Sequence, residues 1–462
     1  MQVTVGRHIC INDPTPEIYK YCAKNLVLSN PDYIKKTRMG FWVGDTPEKI
    51  YLYESRDNAL ILPFGVLRDI LPLLDRTSIF TVFPRATEVD YHCMIPLYGY
   101  QDRAVAKMYD EQYGILRAPA GSGKTQMGLA LIAQIGVKAL WITHTADLLR
   151  QSKNRALLYM SEDLIGTITE GRVNVGKGIT FATVQTLSTI NLLEYRDMWD
   201  CIVVDECHRV AGSPAKITQF SKVLSSLSAR HKYGLSATVH RSDGTIKATY
   251  ALLGQVVYTV PDEEVEDKIM RVGIQEVNTG IGLSYKCLNG DGTLNHTKMI
   301  TYLTEEEERN KIIVENILKN AGRSSLILSD RLEHLSELMS MLPAEERVKA
   351  AMISGQMVSK KGKGEREAAI EDMRQGRKKY LFATYSLAKE GLDIPCLERL
   401  YMATPQKDYA VITQSIGRIA RTYPGKSDPI AYDFIDDDEY LVRCYKKRCT
   451  TYRKNKCYFK EK

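Results

Sequence analysis

Ala118-Pro119-Ala120-Gly121-Ser122-Gly123-Lys124-Thr125 places small residues, one lysine and a closing threonine in eight consecutive positions. Small side chains let successive backbone N–H groups converge on phosphate oxygens, and a helix starting there adds partial positive charge. In such a loop Lys124 reaches the β- and γ-phosphates and the Thr125 hydroxyl ligates Mg²⁺. The strict pattern has Gly where Ala118 stands. The flanks supply the required strand–loop–helix context, with the apolar run Tyr113-Gly114-Ile115-Leu116 before the loop and a helical pattern from Thr125 to Gln134 after it. A Gly/Ser turn beside a chance Lys-Thr would need neither flank. The stretch reads as a nucleoside triphosphate site, with ATP and Mg²⁺ as cofactors.

Further along, the apolar run Cys201-Ile202-Val203-Val204 ends in Asp205-Glu206-Cys207-His208. An acidic pair at the carboxyl end of a buried strand suits a Mg²⁺ ligand, Asp205, beside a water-polarising base, Glu206. A bare Asp-Glu pair is often only a helix start, so its place after a phosphate loop is what gives it weight. Leu235-Ser236-Ala237-Thr238 closes the next strand, and its hydroxyls could hydrogen-bond toward the acidic pair. Gln101 precedes the loop, where its amide can read the adenine edge. Arg418 and Arg421 are three apart on an expected helix and so share a face. Two guanidiniums placed this way could reach a γ-phosphate as arginine fingers. Paired arginines elsewhere are simply solvated.

Positioning these groups takes βαβ units. Apolar strands expected at 138–143, 178–183, 201–204 and 232–235 alternate with helical stretches, which implies a parallel sheet. The alternation resumes at 325–328, 350–353, 380–383, 399–402 and 429–434, without a second phosphate loop. Residues 1–90 read as a small α+β accessory domain with a basic–aromatic mixture compatible with nucleic acid contact. There Lys35, Lys36 and Arg38 lie beside Phe41 and Trp42, and core aromatics with a solvated basic face remain the alternative. The other expected divisions are 91–255, 256–300 as a linker with a hairpin at Asn289-Gly290-Asp291-Gly292, 301–438, and a basic aromatic tail over 439–462.

The 462 residues are enough for two or three domains, and 44% apolar with 26% charged residues is ordinary for a globular protein. No apolar run approaches the roughly 20 residues of a membrane span. The N-terminus lacks the pattern of a signal peptide, and the ten cysteines form no C-x-x-C pair. A cytoplasmic protein with reduced thiols is expected, in the host cytoplasm if the source is a phage. The net charge of +7 is uneven: the segment 443–462 alone carries +8, leaving about −1 for the rest. Such asymmetry suits a polyanion-binding element, and the interleaved Tyr445, Tyr452, Tyr458 and Phe459 would stack on bases. A charged helix packing its tyrosines on the second domain is the alternative. Cys444, Cys449 and Cys457 lack zinc-site spacing.

Taken in order, these motifs resemble the superfamily 2 helicases carrying a DExH box, here DECH, over about residues 92–438. The resemblance implies an α/β fold of two tandem RecA-like parallel-sheet domains that hydrolyse ATP. It also implies that Gly391, Asp393, Gln414, Arg418 and Arg421 line the ATP cleft. Thr384 and the Gln185-Thr186 region would contact the nucleic acid backbone. Asn30-Pro31, Gly40-Phe41-Trp42-x-Gly44, Leu62-Pro63-Phe64-Gly65, Arg241-Ser242-Asp243-Gly244 and Tyr432-Asp433-Phe434-Ile435-Asp436-Asp437 resemble, more narrowly, phage branch-migration helicases of the UvsW kind. That group implies a monomeric motor on forked, branched or single-stranded DNA in recombination, repair and replication, working with recombination proteins. One departure is Tyr98, which stands where many relatives carry Arg. An RNA helicase, the motor subunit of a restriction system, or a nucleic-acid-binding scaffold with a decayed ATPase are the other readings. Intact Lys124, Asp205, Glu206, Arg418 and Arg421 speak against the last.

Overall fold

The computed structural model describes all residues except 75–78, 120, 239–243, 267–269, 356–359, 390, 391, 393, 461 and 462. The chain divides into two compact units, Met1–Glu264 and Val265–Lys462.

Among the described residues, the first unit is built on an eight-stranded sheet. From one edge its strands run Arg172–Asn174, Ile165–Thr169, Ile179–Thr183, Ala139–Thr143, Cys201–Asp205, His231–Ser236, Tyr113–Arg117 and Val256–Thr259. All neighbours pair parallel except the first two. The central strands are buried at every residue, as in Cys201–Asp205 and Ala139–Thr143, because helices cover both faces. That explains their unbroken apolar runs.

The small N-terminal sheet has Glu54–Arg56, Ala59–Pro63, His8–Asn12, Gln2–Val5 and Ile79–Thr81 in that order, backed by the helix Pro16–Asn25. It is not an isolated body. Its core of Val3, Ile9, Ile18 and Leu62 takes in Tyr113 and Ala251 from the larger sheet's layer. Arg68 donates its N–H to the Tyr113 hydroxyl at 3.1 Å, stacks its guanidinium 4.1 Å from that ring and pairs with Glu111 at 2.8 Å. At Gly65 a β-carbon would stand 2.6 Å from Tyr250 O and 2.7 Å from Ala251 O, so only glycine permits this approach.

The second unit has a seven-stranded parallel sheet in the order Ala350–Ile353, Tyr380–Thr384, Ser325–Ser329, Arg399–Met402, Ile430–Ile435, Gly273–Asn278 and Tyr458–Phe459. Two sequence expectations change here. Residues 256–300 are not chiefly linker, since Val256–Thr259 and Gly273–Asn278 each join a main sheet. The turn at Asn289–Gly292 is closed by an Asn289 N–H to Thr293 O bond of 2.8 Å and flanked by a single Leu288–Leu294 bridge, short of a two-stranded hairpin.

The C-terminal segment is no tail either. Glu439–Lys454 is a helix capped by Asp438, and its inner face is core. Arg448 and Tyr452 are 2% and 0% exposed. Asp433 Oδ2 accepts from Arg448 Nε at 2.8 Å and from the Tyr452 hydroxyl at 2.7 Å. Tyr445 bonds to Glu276, and Tyr458 donates to Asp428 at 2.8 Å. The tyrosines read from sequence as stacking groups are therefore spent inside the unit. The helix's outer face keeps Lys446, Lys447, Arg453 and Lys454 exposed. No helix among the described residues is long and apolar enough to cross a membrane.

Candidate nucleotide site

The strand Tyr113–Arg117 delivers the chain into the loop, and the helix Lys124–Ile135 receives it. Gly121 and Gly123 hold φ of +83° and +80°, which turns backbone N–H groups inward at little steric cost. A side chain at Gly123 would also run into the Gln101 amide. Ala118 is fully buried and its N–H donates to Ser236 O at 2.9 Å, tying the loop to the Ser236-Ala237-Thr238 segment. Lys124 Nζ lies 3.3 Å from Ala118 O and 3.4 Å from Pro119 O, folded over the loop that it ends. Ala120 falls outside the described residues.

Gln101 does not present its amide outward. It is 2% exposed, its Nε2 donates to Ser122 O at 2.8 Å and its Oε1 accepts from Tyr98 N–H at 2.9 Å. Tyr100 donates its hydroxyl to the same Ser122 carbonyl at 2.9 Å. The expected adenine reader is here a brace between a helix start and the phosphate loop, because both ends of its amide are already satisfied.

Asp205 and Glu206 sit at the carboxyl end of their strand, next to the strand ending in Ser236, which in turn pairs with the loop's strand. Asp205 is 7% exposed; its Oδ1 accepts the Glu206 N–H at 2.9 Å and its Oδ2 the Ser152 hydroxyl at 3.4 Å. Burial, then the adjacent Glu206 charge, pushes Asp205 well above the usual carboxylate range. For Glu206 burial also works against ionisation, but Lys124, His208 and His144 outweigh it and hold the group below the usual carboxylate range. The chain turns sharply at Glu206, with φ of +49°, a left-handed conformation uncommon outside glycine.

His208, which the sequence reading quoted without giving it a role, links the acid pair to the next strand. Its Nδ1 is 3.3 Å from Glu206 Oε2 and 2.9 Å from Ser236 Oγ. Ser236 Oγ in turn donates to Thr238 O at 2.6 Å and accepts the Thr238 N–H at 3.1 Å. The expected bond from the Ser236 segment toward the acidic pair is thus present, through the histidine. A histidine two positions past the glutamate is the signal that could have revealed it.

The remaining residues fall elsewhere. Thr186 is 7% exposed with its hydroxyl on Thr183 Oγ1 at 3.0 Å, and Gln185 Nε2 donates to His144 O at 2.8 Å. Both side chains turn into the first unit and not outward. In the second unit, Thr384 ends its strand with Oγ1 2.9 Å from Ser386 Oγ. Gln414 lies in the helix Tyr409–Ile419. Arg418 donates to Ala388 O at 2.8 Å and Leu392 O at 3.1 Å, bracing that segment. Arg421 is not on the same helix face: the helix ends at Ile419 and caps at Ala420, whose carbonyl accepts the Met270 N–H at 2.7 Å. Gly391 and Asp393, and the narrower resemblance at Arg241-Ser242-Asp243, lie outside the described residues.

The residues present fit a magnesium nucleotide. Ser122 Oγ and Glu206 Oε2 are buried polar atoms with no hydrogen-bond partner among the described residues. A desolvated Asp205 is also the donor that a dication would keep ionised.

Comparisons agree with this constellation. Residues 94–241 match the family model "Type III restriction enzyme, res subunit", and 308–423 match "Helicase conserved C-terminal domain". A protein of Acanthamoeba polyphaga mimivirus, described provisionally as an ATP-dependent RNA helicase, is 27% identical over 77% of this chain and 66% of its own. DNA 3'-5' helicase XPB of Kineococcus radiotolerans is 25% identical over 64% of this chain and 52% of its own, so the chain spans about half of that relative. Among solved structures, S. cerevisiae Dbp5 bound to RNA and ADP BeF3 shares the fold at TM-score 0.56 and 16% identity, covering 86% of this chain and 94% of that one. T4 UvsW covers 100% of this chain and 99% of its own at 18% identity, but its TM-score of 0.42 is too low to weigh. With both helicase models matched in tandem, a phosphate loop and a DECH box on one parallel sheet, the chain belongs to the ATP-dependent helicases of superfamily 2.

Proposed function

We propose that the protein is an ATP-driven DNA translocase that unwinds or branch-migrates forked and junction DNA. The observation that carries this reading is the convergence of the loop 118–125, Asp205-Glu206 and the His208–Ser236 contact at the carboxyl edge of one sheet. ATP supplies the bond that is cleaved, and Mg²⁺ neutralises charge on its phosphates. Lys124 would leave its own loop carbonyls for the phosphates, and Thr125 and Asp205 would hold the dication. Glu206, beside His208 and His144, polarises the attacking water as its general base. His208 passes the state of Glu206 to Ser236 and Thr238. By the family resemblance, Arg418, Arg421, Gln414, Gly391 and Asp393 of the second unit are assigned to nucleotide binding, and Gln185, Thr186 and Thr384 to segments that follow the nucleic acid backbone.

DNA is favoured by the XPB relative and by the narrower likeness of the N-terminal motifs to phage branch-migration helicases. The exposed Lys446, Lys447, Arg453 and Lys454 suit phosphates. A monomer working in the cytoplasm with recombination, repair and replication proteins completes the reading. RNA unwinding is the second reading, supported by the mimivirus relative's description. Purified protein assayed on forks, four-way junctions, D-loops and RNA duplexes separates the two. Fork- and junction-stimulated ATPase with little response to RNA is expected, and stimulation by RNA alone would overturn the DNA assignment.

A further inference from the structure

Residues 30–48 leave the small N-terminal domain as an excursion fastened at its neck. Asn30 is 2% exposed; its Nδ2 donates to Pro47 O at 2.7 Å, its Oδ1 accepts the Asp32 N–H at 3.0 Å, and its own N–H donates to Glu48 O at 2.9 Å. Just below, Val27–Ser29 and Lys49–Tyr51 pair antiparallel. Above the neck the helix Pro31–Arg38 buries none of its residues. The chain then exposes Phe41 at 60% and Trp42 at 86%.

This tip is held in shape without being covered. The Trp42 ring lies close enough to Gly44 that a β-carbon there would stand 2.9 Å from it. Lys36 Nζ donates to Thr46 Oγ1 at 2.7 Å, fixing the helix end to the returning strand of the loop. Lys35 and Arg38 remain exposed in the helix's last turn, a few positions before the two rings in the chain. Exposed aromatic faces beside cations match a base with its phosphate: the ring stacks on the π-face and the cation meets the charge.

We infer that Phe41 and Trp42, with Lys35 and Arg38, form a stacking site for unpaired bases of a single DNA strand, separate from the motor's own track. This rests on the DNA-motor reading above. A motor that opens a duplex yields two single strands, and this site would hold bases of one of them against re-annealing.

The test uses intrinsic fluorescence of the full chain. Trp141 and Trp199 are 0% and 1% exposed, so Trp42 is the tryptophan that a soluble ligand can reach. Dye-labelled oligothymidylate of about 16 nucleotides is titrated without ATP into the wild type, Trp42→Ala, Trp42→Phe and the Lys35→Gln/Arg38→Gln pair, its anisotropy giving each affinity and Trp42 emission being followed in the wild type and the charge pair. Quenching of the wild-type emission is expected. Trp42→Ala should bind about 10-fold more weakly, because one base loses its stacking partner, and Trp42→Phe should recover most of that loss. The charge variant should bind more weakly with a shallower salt dependence. DNA-free ATP turnover should be unchanged in all of them. Unquenched Trp42 at saturating oligothymidylate, or wild-type affinity in Trp42→Ala, overturns the inference. So does a wild-type dimer that Trp42→Ala converts to monomer in sedimentation, which would make the tip a contact between copies. Fork-stimulated ATPase of the wild type is read alongside: its presence keeps the motor reading even if the tip inference fails, and its absence sinks both.

Discussion

His208 Nδ1 lies 2.9 Å from Ser236 Oγ, and the Ser236 hydroxyl gives its own proton to Thr238 O at 2.6 Å. The serine can therefore only accept from the imidazole, which fixes the proton on Nδ1, the nitrogen that also faces Glu206 Oε2 at 3.3 Å. That N–H bonds Ser236 and lies within ion-pair distance of Glu206, so in the proposed mechanism a change at Glu206 would reach Ser236 and Thr238 through the histidine.

Ser236→Ala removes the acceptor on the far side while leaving Lys124, Asp205 and Glu206 in place. DNA unwinding should fall about 10-fold, the loss of one hydrogen bond from the coupled step. ATP turnover without DNA should stay within about 3-fold of wild type by the same measure. Equal losses in both would mean that Ser236 supports the site and relays nothing. Parallel strand-displacement and phosphate-release assays decide.

The helix Glu439–Lys454 separates two effects that the sequence merges into one basic tail. Arg448→Ala leaves Asp433 buried without its cation and should cost about 3–5 kcal/mol, seen as a drop in melting temperature of roughly 10 °C or more. Replacing exposed Lys446, Lys447, Arg453 and Lys454 together by Gln should leave melting unchanged. It should lower DNA affinity and flatten the slope of log K against log salt by about 3 if all four meet phosphates. Altered melting with unaltered salt slope would make the outer face structural as well.

Lys232 is 1% exposed at the start of its strand, donating to Arg7 O at 3.2 Å and Leu224 O at 3.0 Å, with its ammonium 5.1 Å from the Phe64 ring. Burial pushes it down to about 7 from 10.5. Below about 7 the folded and unfolded chains both hold the proton, so the cost of burying the charge is present in full. Between that value and 10.5 the unfolded chain binds the proton and the folded one does not, so stability rises with pH, by about 1.4 kcal/mol per unit at most. Lys232→Met should lack this rise. Urea midpoints at pH 6, 7.5 and 9 give the difference curve (conditions chosen about the window), and parallel curves for the two proteins would refute the assignment.

Strand positions and the motif order were legible because fully buried parallel strands are written as continuous apolar runs, as in Cys201–Val204. The phosphate loop was legible because its chemistry is local. What failed to show was long-range. Nothing near Tyr113 or Gly65 says that Tyr113 meets Phe64, or that Gly65 meets Tyr250 and Ala251, across the N-terminal boundary. Nor does the charge run 443–462 reveal that Arg448 and Tyr452 meet Asp433. Periodicity carried the helix past Ile419 to Arg421, whereas a bond from Met270 to Ala420 goes with its end. Gln101 looked free for a ligand because its partners, Ser122 O and Tyr98 N–H, are backbone groups without a sequence signature.

The most direct test of the account is steady-state ATP hydrolysis with and without forked DNA, by the wild type, Lys124→Ala and Glu206→Gln. Fork-stimulated turnover is expected in the wild type. A fall of at least about 10²-fold is expected in Glu206→Gln, which loses its base, and in Lys124→Ala, which loses the charge facing the transferred phosphate. Glu206→Gln should retain bound ATP and DNA. Turnover at wild-type level in Lys124→Ala, or a wild type indifferent to DNA, would contradict the account.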